Sequence, residues 1–230
     1  MLHSVGVPDE RLLRLTNGFD ESLVPPLDSK ARLRSELGLP MDEFVFVNVA
    51  FIEPKKDHST LLEAFRLVRL ARNSAKLCII GDGPLAGRVR GQATELGLDE
   101  HVRFVGSVTP TDVLRWMIAG DAVVNYSRAE GNPTVMFEAL GCGRPYIGSA
   151  VGGVPEVIES GSVGLVGPPA SIECLRDLMI RAMEAQWNEA RIQETAQQYT
   201  WKSIATRIHN EVFARSSSGQ VTQWNGRHGV

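Results

Sequence analysis

Ser127-Arg128-Ala129-Glu130-Gly131-Asn132-Pro133-Thr134-Val135-Met136-Phe137-Glu138-Ala139-Leu140 follows an apolar run, Ala122-Val123-Val124-Asn125-Tyr126, that reads as a strand. The longer stretch reads as a loop and the start of a helix. Asn132 suits the N-cap, and Pro133 suits the first helical position, where its missing N–H has no partner to lose. The N–H groups of Thr134, Val135 and Met136 then lack intrahelical acceptors. A helix start of this kind takes an anion such as a phosphate. Strand, loop and phosphate-ready helix, in that order, is how α/β folds build nucleotide sites. Glu130 and Glu138 bracket the helix start and are free to accept hydrogen bonds from sugar hydroxyls.

The same alternation extends along most of the chain, so the expected fold is α/β: a Rossmann-like parallel sheet flanked by helices. Phe44–Ala50 is nearly all apolar, as a strand buried on both faces requires. Leu12–Thr16, Lys76–Ile80, Val102–Val105, Pro145–Ser149 and Gly164–Val166 read as further strands. Ser59–Arg72 carries Leu62, Phe65, Leu67 and Leu70 as an apolar stripe at helical spacing. Leu85–Leu96 and Thr109–Ile118 read as helices, the latter capped by Thr109 or Thr111. From Ser171 the pattern is helical only, which predicts a helical extension over 171–215. Residues 216–230 are polar and aperiodic and read as a disordered tail. One domain over 1–215 accounts for the pattern, and no internal repeat is present.

Composition narrows the function classes. The chain has 230 residues, 43% hydrophobic and 22% charged, with formal net charge -3. That balance gives no reason to expect nucleic acid or an anionic membrane surface. No apolar run approaches the ~20 residues that span a bilayer. The first residues lack the basic and apolar regions of a signal peptide, so the expected location is cytoplasmic, peripheral to a membrane only through a further domain. Cys78, Cys142 and Cys174 are widely spaced, and Cys78 and Cys142 read as buried reduced thiols. The five histidines do not cluster with other ligands, so neither a metal nor a cofactor is expected. Asn125-Tyr126-Ser127 matches a glycosylation sequon but falls in a strand expected to be buried.

A nucleotide-sugar needs donors for its diphosphate and acceptors for ribose and sugar hydroxyls. Lys55 and Lys56 follow the Phe44–Ala50 strand; one of them faces a diphosphate, or both solvate a loop. Gly81-Asp82-Gly83-Pro84 with Gly87 reads G-x-G-x-x-x-G, a weak dinucleotide fingerprint that is equally a tight turn. Val105 is followed by Gly106 and Ser107 rather than an acid, which counts against NAD. Glu138 sits in an otherwise apolar helix. It is either that helix's one solvated position or a desolvated carboxylate in need of donors, which a ribose diol supplies. Glu130 alone reads as a surface loop charge; the two carboxylates around one helix start form a more specific pattern.

These residues, from about Leu12 to Ala214, resemble the donor-binding half of retaining, nucleotide-sugar-dependent glycosyltransferases of the GT-B fold, family 4 (glycosyl transferases group 1). The resemblance is carried by Glu130 to Glu138-Ala139, Gly141-Cys142-Gly143-Arg144-Pro145, Val151-Gly152-Gly153-Val154-Pro155-Glu156 and Gly81-Asp82-Gly83-Pro84. Val102-Arg103-Phe104-Val105-Gly106 and Lys56-Asp57-His58 with Leu61-Leu62-Glu63-Ala64-Phe65 add to it, all in the family's order. It implies that Glu130 binds donor-sugar hydroxyls and that Gly131, Asn132 and Pro133 line the sugar. It implies further that the amides of Thr134 and Val135 meet the distal phosphate, Glu138 holds the ribose, and Lys56 neutralises the diphosphate. Gly81, Gly83 and Val105 lie along the rest of the donor, with Val105 near the base. Glu130 and Lys56 would take the catalytic roles, with retention of configuration and no metal at the diphosphate. Many relatives carry Arg five residues before the lysine, where this chain has Phe51. Leu15-Thr16-Asn17-Gly18-Phe19-Asp20 resembles the segment joining the two GT-B domains, so residues 1–20 read as a residual interdomain segment. The expected partners are a nucleotide-sugar donor and an N-terminal acceptor-binding domain absent from this chain, without which the chain is expected to be inactive. Three other classes share parts of this pattern: nucleotide-sugar 2-epimerases, a non-catalytic nucleotide-sugar sensor, and a Rossmann oxidoreductase, which the missing acid disfavours.

Overall fold

A computed structural model describes residues 15–158 and 161–217. Six parallel strands form one sheet in the order β3-β2-β1-β4-β5-β6: β1 Phe44–Val49, β2 Ala75–Ile80, β3 Val102–Gly106, β4 Ala122–Asn125, β5 Tyr146–Ser149 and β6 Gly164–Gly167. The helices between and around them are α1 Lys30–Leu37, α2 His58–Ala71, α3 Ala86–Glu95, α4 Pro110–Ala119, α5 Thr134–Gly141, α6 Val154–Val157, α7 Ile172–Glu184, α8 Glu189–Ala196 and α9 Trp201–Ser217. The Rossmann-like expectation holds, and the strands from Phe44 onward lie within a residue or so of their expected bounds. Leu12–Arg14 of the first expected strand lie outside the described residues, and Leu15 and Thr16 are not in a strand. The short parallel bridge in this region is made instead by Phe19, opposite Thr200.

Alternation along each strand sends neighbouring side chains to opposite faces. Val45 and Val47 join Cys78, Ile80 and Val123 under α4 and α5, with Met117, Met136, Phe137 and Leu140 buried among them. Phe46 joins Leu77, Ile79 and Val124 under α2 and α7, against Leu62, Phe65, Leu175 and Met179. The run of helices after Ser171 is therefore packed into the fold. Helix α7, capped by the Ser171 hydroxyl, covers the second face, and α8 buries Ile192 and Ala196 on the first. Ser216 and Ser217, expected in the tail, are in α9, and 218–230 lie outside the described residues.

The strand order reverses between β1 and β4, the switch point at which open parallel sheets bind ligands. These two strands pair only at Phe46↔Ala122 and Val47↔Val123. Beyond that pairing, the side chains of Asn48 and Asn125 bridge them. Asn48 donates to the Val124 carbonyl at 2.8 Å and to Asn125 Oδ1 at 2.9 Å, and Asn125 donates to the Val49 carbonyl at 2.9 Å. Asn125 is 4% exposed, which removes the sequon from consideration. Cys78 and Cys142 are buried free thiols as expected, and burial pushes the Cys78 pKa up to about 12.

Candidate functional site

At the C-terminal ends of β1 and β2 a cleft of about 380 Å³ opens beside the start of α5. Its walls are mostly apolar, from Val49 and Ile80 at the strand ends to Val113 of α4 and Val135 of α5, and Lys56 is the cation on its lining. A larger cleft of about 520 Å³ lies around Lys76, His101 and Arg103, near the N-terminal ends of β2 and β3. That is the wrong end of a parallel sheet for a ligand site, and it holds none of the expected site residues, so size does not pick the site here.

Lys56 reaches the cleft because Pro54–Lys56 makes one short helical turn and Asp57 then takes a left-handed conformation, φ 49°. The Asp57 carboxylate, buried, accepts from Thr60 Oγ1 at 2.9 Å and from Arg128 Nε at 2.9 Å. The Arg128 N–H in turn donates to the Lys55 carbonyl at 2.8 Å. These bonds join the loop after β1 to the loop after β4. Across that junction Lys56 Nζ meets Glu130 Oε1 at 2.5 Å, with both side chains largely buried. Lys55 pairs with Glu53 at 3.0 Å and stays exposed, so Lys56 is the lysine at the site.

Thr134, Val135 and Glu138 form one face of α5, since residues three and four apart are neighbours on a helix. They are exposed or half-buried, whereas Met136, Phe137, Ala139 and Leu140 are buried in the core. Burial pushes the Glu138 carboxyl above the ordinary carboxylate range, and among the described residues no protein donor pairs with it. Glu138 is thus half-buried and without a protein donor, between the two readings the sequence left open.

Three expectations about the helix start shift, and three further residues can be placed. The helix starts at Thr134, one residue late, because Pro133 has ψ 118° and occupies the cap position itself. Asn132 therefore stands outside the cap, and its Oδ1 is buried without a partner, pressed against Gly153. The Met136 N–H is used by the Pro133 carbonyl at 3.0 Å, which leaves Thr134 and Val135 as the leading amides. Gly81 does line the cleft: at φ +130°, a Cβ there would lie 2.0 Å from the Ala50 carbonyl oxygen. Gly83 is against the Ile52 backbone instead, where a Cβ would meet Ile52 O at 2.5 Å, so it serves the turn. Val105 packs toward the core, and the lining beyond β3 comes from Ser107 and Val108.

Sequence reasoning did not assign the residues behind Glu130–Pro133. Gly152, at φ +55°, lets the backbone pass so close that a Cβ would sit 2.2 Å from the Glu130 carbonyl oxygen, and the Gly153 N–H donates to the Gly131 carbonyl at 2.7 Å. The adjacent glycines in Val151-Gly152-Gly153-Val154 were the available signal. Phe51, in the place of the common arginine, is 58% exposed on the cleft lining. Among the described residues no group of three or more His, Cys, Asp or Glu is placed to hold a metal ion, and no helix is long and apolar enough to cross a membrane.

The family model for glycosyl transferases group 1 matches residues 29–199. D-inositol 3-phosphate glycosyltransferase of Jonesia denitrificans is 31% identical over 221 residues, covering 89% of this chain and 52% of that protein. N-acetyl-alpha-D-glucosaminyl L-malate synthase of Bacillus anthracis is 26% identical over 233 residues, covering 95% and 58%. Among solved structures, Anabaena Alr3699/HepE in complex with UDP superposes with TM-score 0.75 at 25% identity, over 86% of this chain and 56% of that one. The chain spans about half the length of the curated relatives it matches.

Proposed function

This chain belongs to the glycosyl transferases group 1 family, and we propose that it is the donor-binding part of a retaining glycosyltransferase. On this reading it holds a nucleoside-diphospho-sugar while a second, N-terminal domain holds the acceptor. The observation that carries the reading is the exposed face of α5. The amides of Thr134 and Val135 lead that helix beside the cleft, and one turn further on Glu138 is half-buried and has no protein donor among the described residues. A helix start stabilises a diphosphate. A ribose diol supplies two donors to such a half-buried carboxylate. The Anabaena neighbour, solved with UDP, supports the same ligand class.

The chemistry follows from charge. As the glycosidic bond to the diphosphate breaks, positive charge develops on the sugar and negative charge on the leaving phosphate. Lys56 and the α5 amides stabilise the leaving group, and Glu130 stabilises the sugar, without a metal ion. The acceptor hydroxyl has to be held in line, and orientation of that kind accounts for roughly 7–11 kcal/mol of a barrier. The chain by itself binds donor and does not transfer it.

Calorimetric titration with UDP, UDP-glucose, GDP, GDP-mannose and NAD tests the proposal. Binding of a nucleoside diphosphate and its sugar, with no response to NAD, is expected. Failure of every nucleoside diphosphate to bind would sink it.

A further inference from the structure

Residues 17–19 touch both ends of α5. At one end Asn17 Nδ2 donates to the Asn132 carbonyl at 2.5 Å, across 115 positions of sequence. At the other, the Phe19 ring lies so close over Gly141 that a Cβ there would meet it at 2.3 Å. Phe19 itself is fixed. Its N–H donates to the Tyr199 carbonyl and its carbonyl accepts from the Trp201 N–H, both at 3.1 Å, and it is 3% exposed. Asn17 is two residues from this anchor, so the fixed Phe19 backbone limits where the Asn17 side chain can reach.

That loop is held from behind by Gly152 and Gly153, and Asn17 closes it from the other side. The Asn132 carbonyl belongs to the peptide bond to Pro133, which carries no N–H. Fixing this carbonyl therefore fixes the plane on which the chain turns into α5. Two residues back stands Glu130, whose carboxylate must meet a ligand and Lys56 from a single place.

We propose that Asn17 is a positioning residue for the loop Glu130–Pro133: it touches no ligand, and it sets where Glu130 stands. The inference rests on the reading of Glu130 as the sugar contact. It makes the segment leading into the domain part of the sugar half of the site, and the diphosphate half, built on Lys56 and the amides of α5, meets it only through the Lys56–Glu130 pair.

The test uses the full chain with Asn17→Asp, which keeps shape and sets an acceptor against a carbonyl, and Asn17→Gln, which keeps the amide donor. In Asn17→Asp, affinity for the nucleotide-sugar that binds the wild type (UDP-glucose or GDP-mannose) is expected to fall about tenfold, with the parent nucleoside diphosphate bound as well as before or more tightly. Asn17→Gln should recover most of that loss. Amide hydrogen exchange over 130–135 should quicken in Asn17→Asp while the core strands keep wild-type protection. Equal losses for both ligands, or unchanged exchange over 130–135, would overturn the positioning role. If the wild type binds no nucleotide, the donor-domain reading fails, and the exchange measurement still decides whether Asn17 holds the loop.

Discussion

Lys56 and Glu130, 74 positions apart in sequence, hold each other at 2.5 Å across the junction of the β1 and β4 loops. The cation proposed for the diphosphate is thus neutralised by the carboxylate proposed for the sugar. Breaking a largely buried pair by removing one partner leaves the other charge uncompensated. A nucleoside diphosphate is the counter-charge that a freed Lys56 would seek.

Glu130→Gln should therefore strengthen binding of the bare nucleoside diphosphate, by roughly threefold to tenfold at low salt, and less as salt screens it. The nucleotide-sugar should gain nothing or lose, because the carboxylate that accepts from its hydroxyls is gone. Titrating both ligands at two ionic strengths separates the two effects. A drop in bare diphosphate affinity would show that Glu130 does not restrain Lys56.

Glu138→Gln should make the protein more stable and the site weaker. Burial raises the folded-state pKa of Glu138 above its ordinary 4.5. Between 4.5 and the raised value the folded chain holds more protons than the unfolded one, so this group's contribution to stability declines as pH rises. Glutamine is neutral throughout and escapes that cost. Its melting temperature should exceed the wild type's at pH 7 and match it near pH 4. Nucleoside diphosphate affinity should fall about tenfold or more, since a charged acceptor on the ribose is lost. A 2′,3′-dideoxy nucleotide should lose as much on the wild type and little further on the variant.

Apolar runs such as Phe44-Val45-Phe46-Val47 revealed the sheet, because strands buried on both faces need no polar side chains over several residues. The stretch Glu130 to Glu138 was visible because a proline, a loop and a helix lie within nine residues. What remained hidden depends on distance in sequence. Nothing local tells that Lys56 meets Glu130, that Arg128 binds Asp57, or that Asn17 reaches Asn132. The helix start was misjudged by one residue because Pro133, with ψ 118°, takes the cap position itself, and the fixed φ that suits proline to the first turn does not fix its ψ. That Gly83 lies against the Ile52 backbone and Val105 is half-buried beside the core is likewise not legible locally, because a glycine turn and a strand end read the same whatever they face.

Donor binding should be indifferent to EDTA. On the proposed reading a diphosphate is met by Lys56, shared with Glu130, and by the start of α5, and among the described residues no carboxylate cluster is placed to hold a cation. Titrations with EDTA, and with Mg²⁺ or Mn²⁺ restored, check this. Loss of binding in EDTA and recovery with either ion would show a metal-dependent site.

His58 sets a limit on the acid side. Its ring is 3% exposed, its Nε2 has no partner among the described residues, and it opens α2 beside Lys56 and Asp57. Burial, helped by the Lys56 charge and opposed by Asp57, lowers its pKa from 6.5 to about 4. A base whose folded pKa is depressed contributes fully above 6.5 and loses that contribution as pH falls toward 4. The unfolded chain then binds the proton first. A shift of this size corresponds to a loss on the order of 3 kcal/mol by pH 4. In the folded chain the ring stays neutral down to about pH 4, so diphosphate binding by the folded protein should hold over the same window. Urea unfolding of the wild type and of His58→Leu at pH 7, 5.5 and 4.5 isolates the term, because Glu138 and every other group titrate in both proteins. The wild type should lose more stability than the variant as pH falls from 7 to 4.5. Parallel curves would mean that His58 titrates in the fold as it does in water.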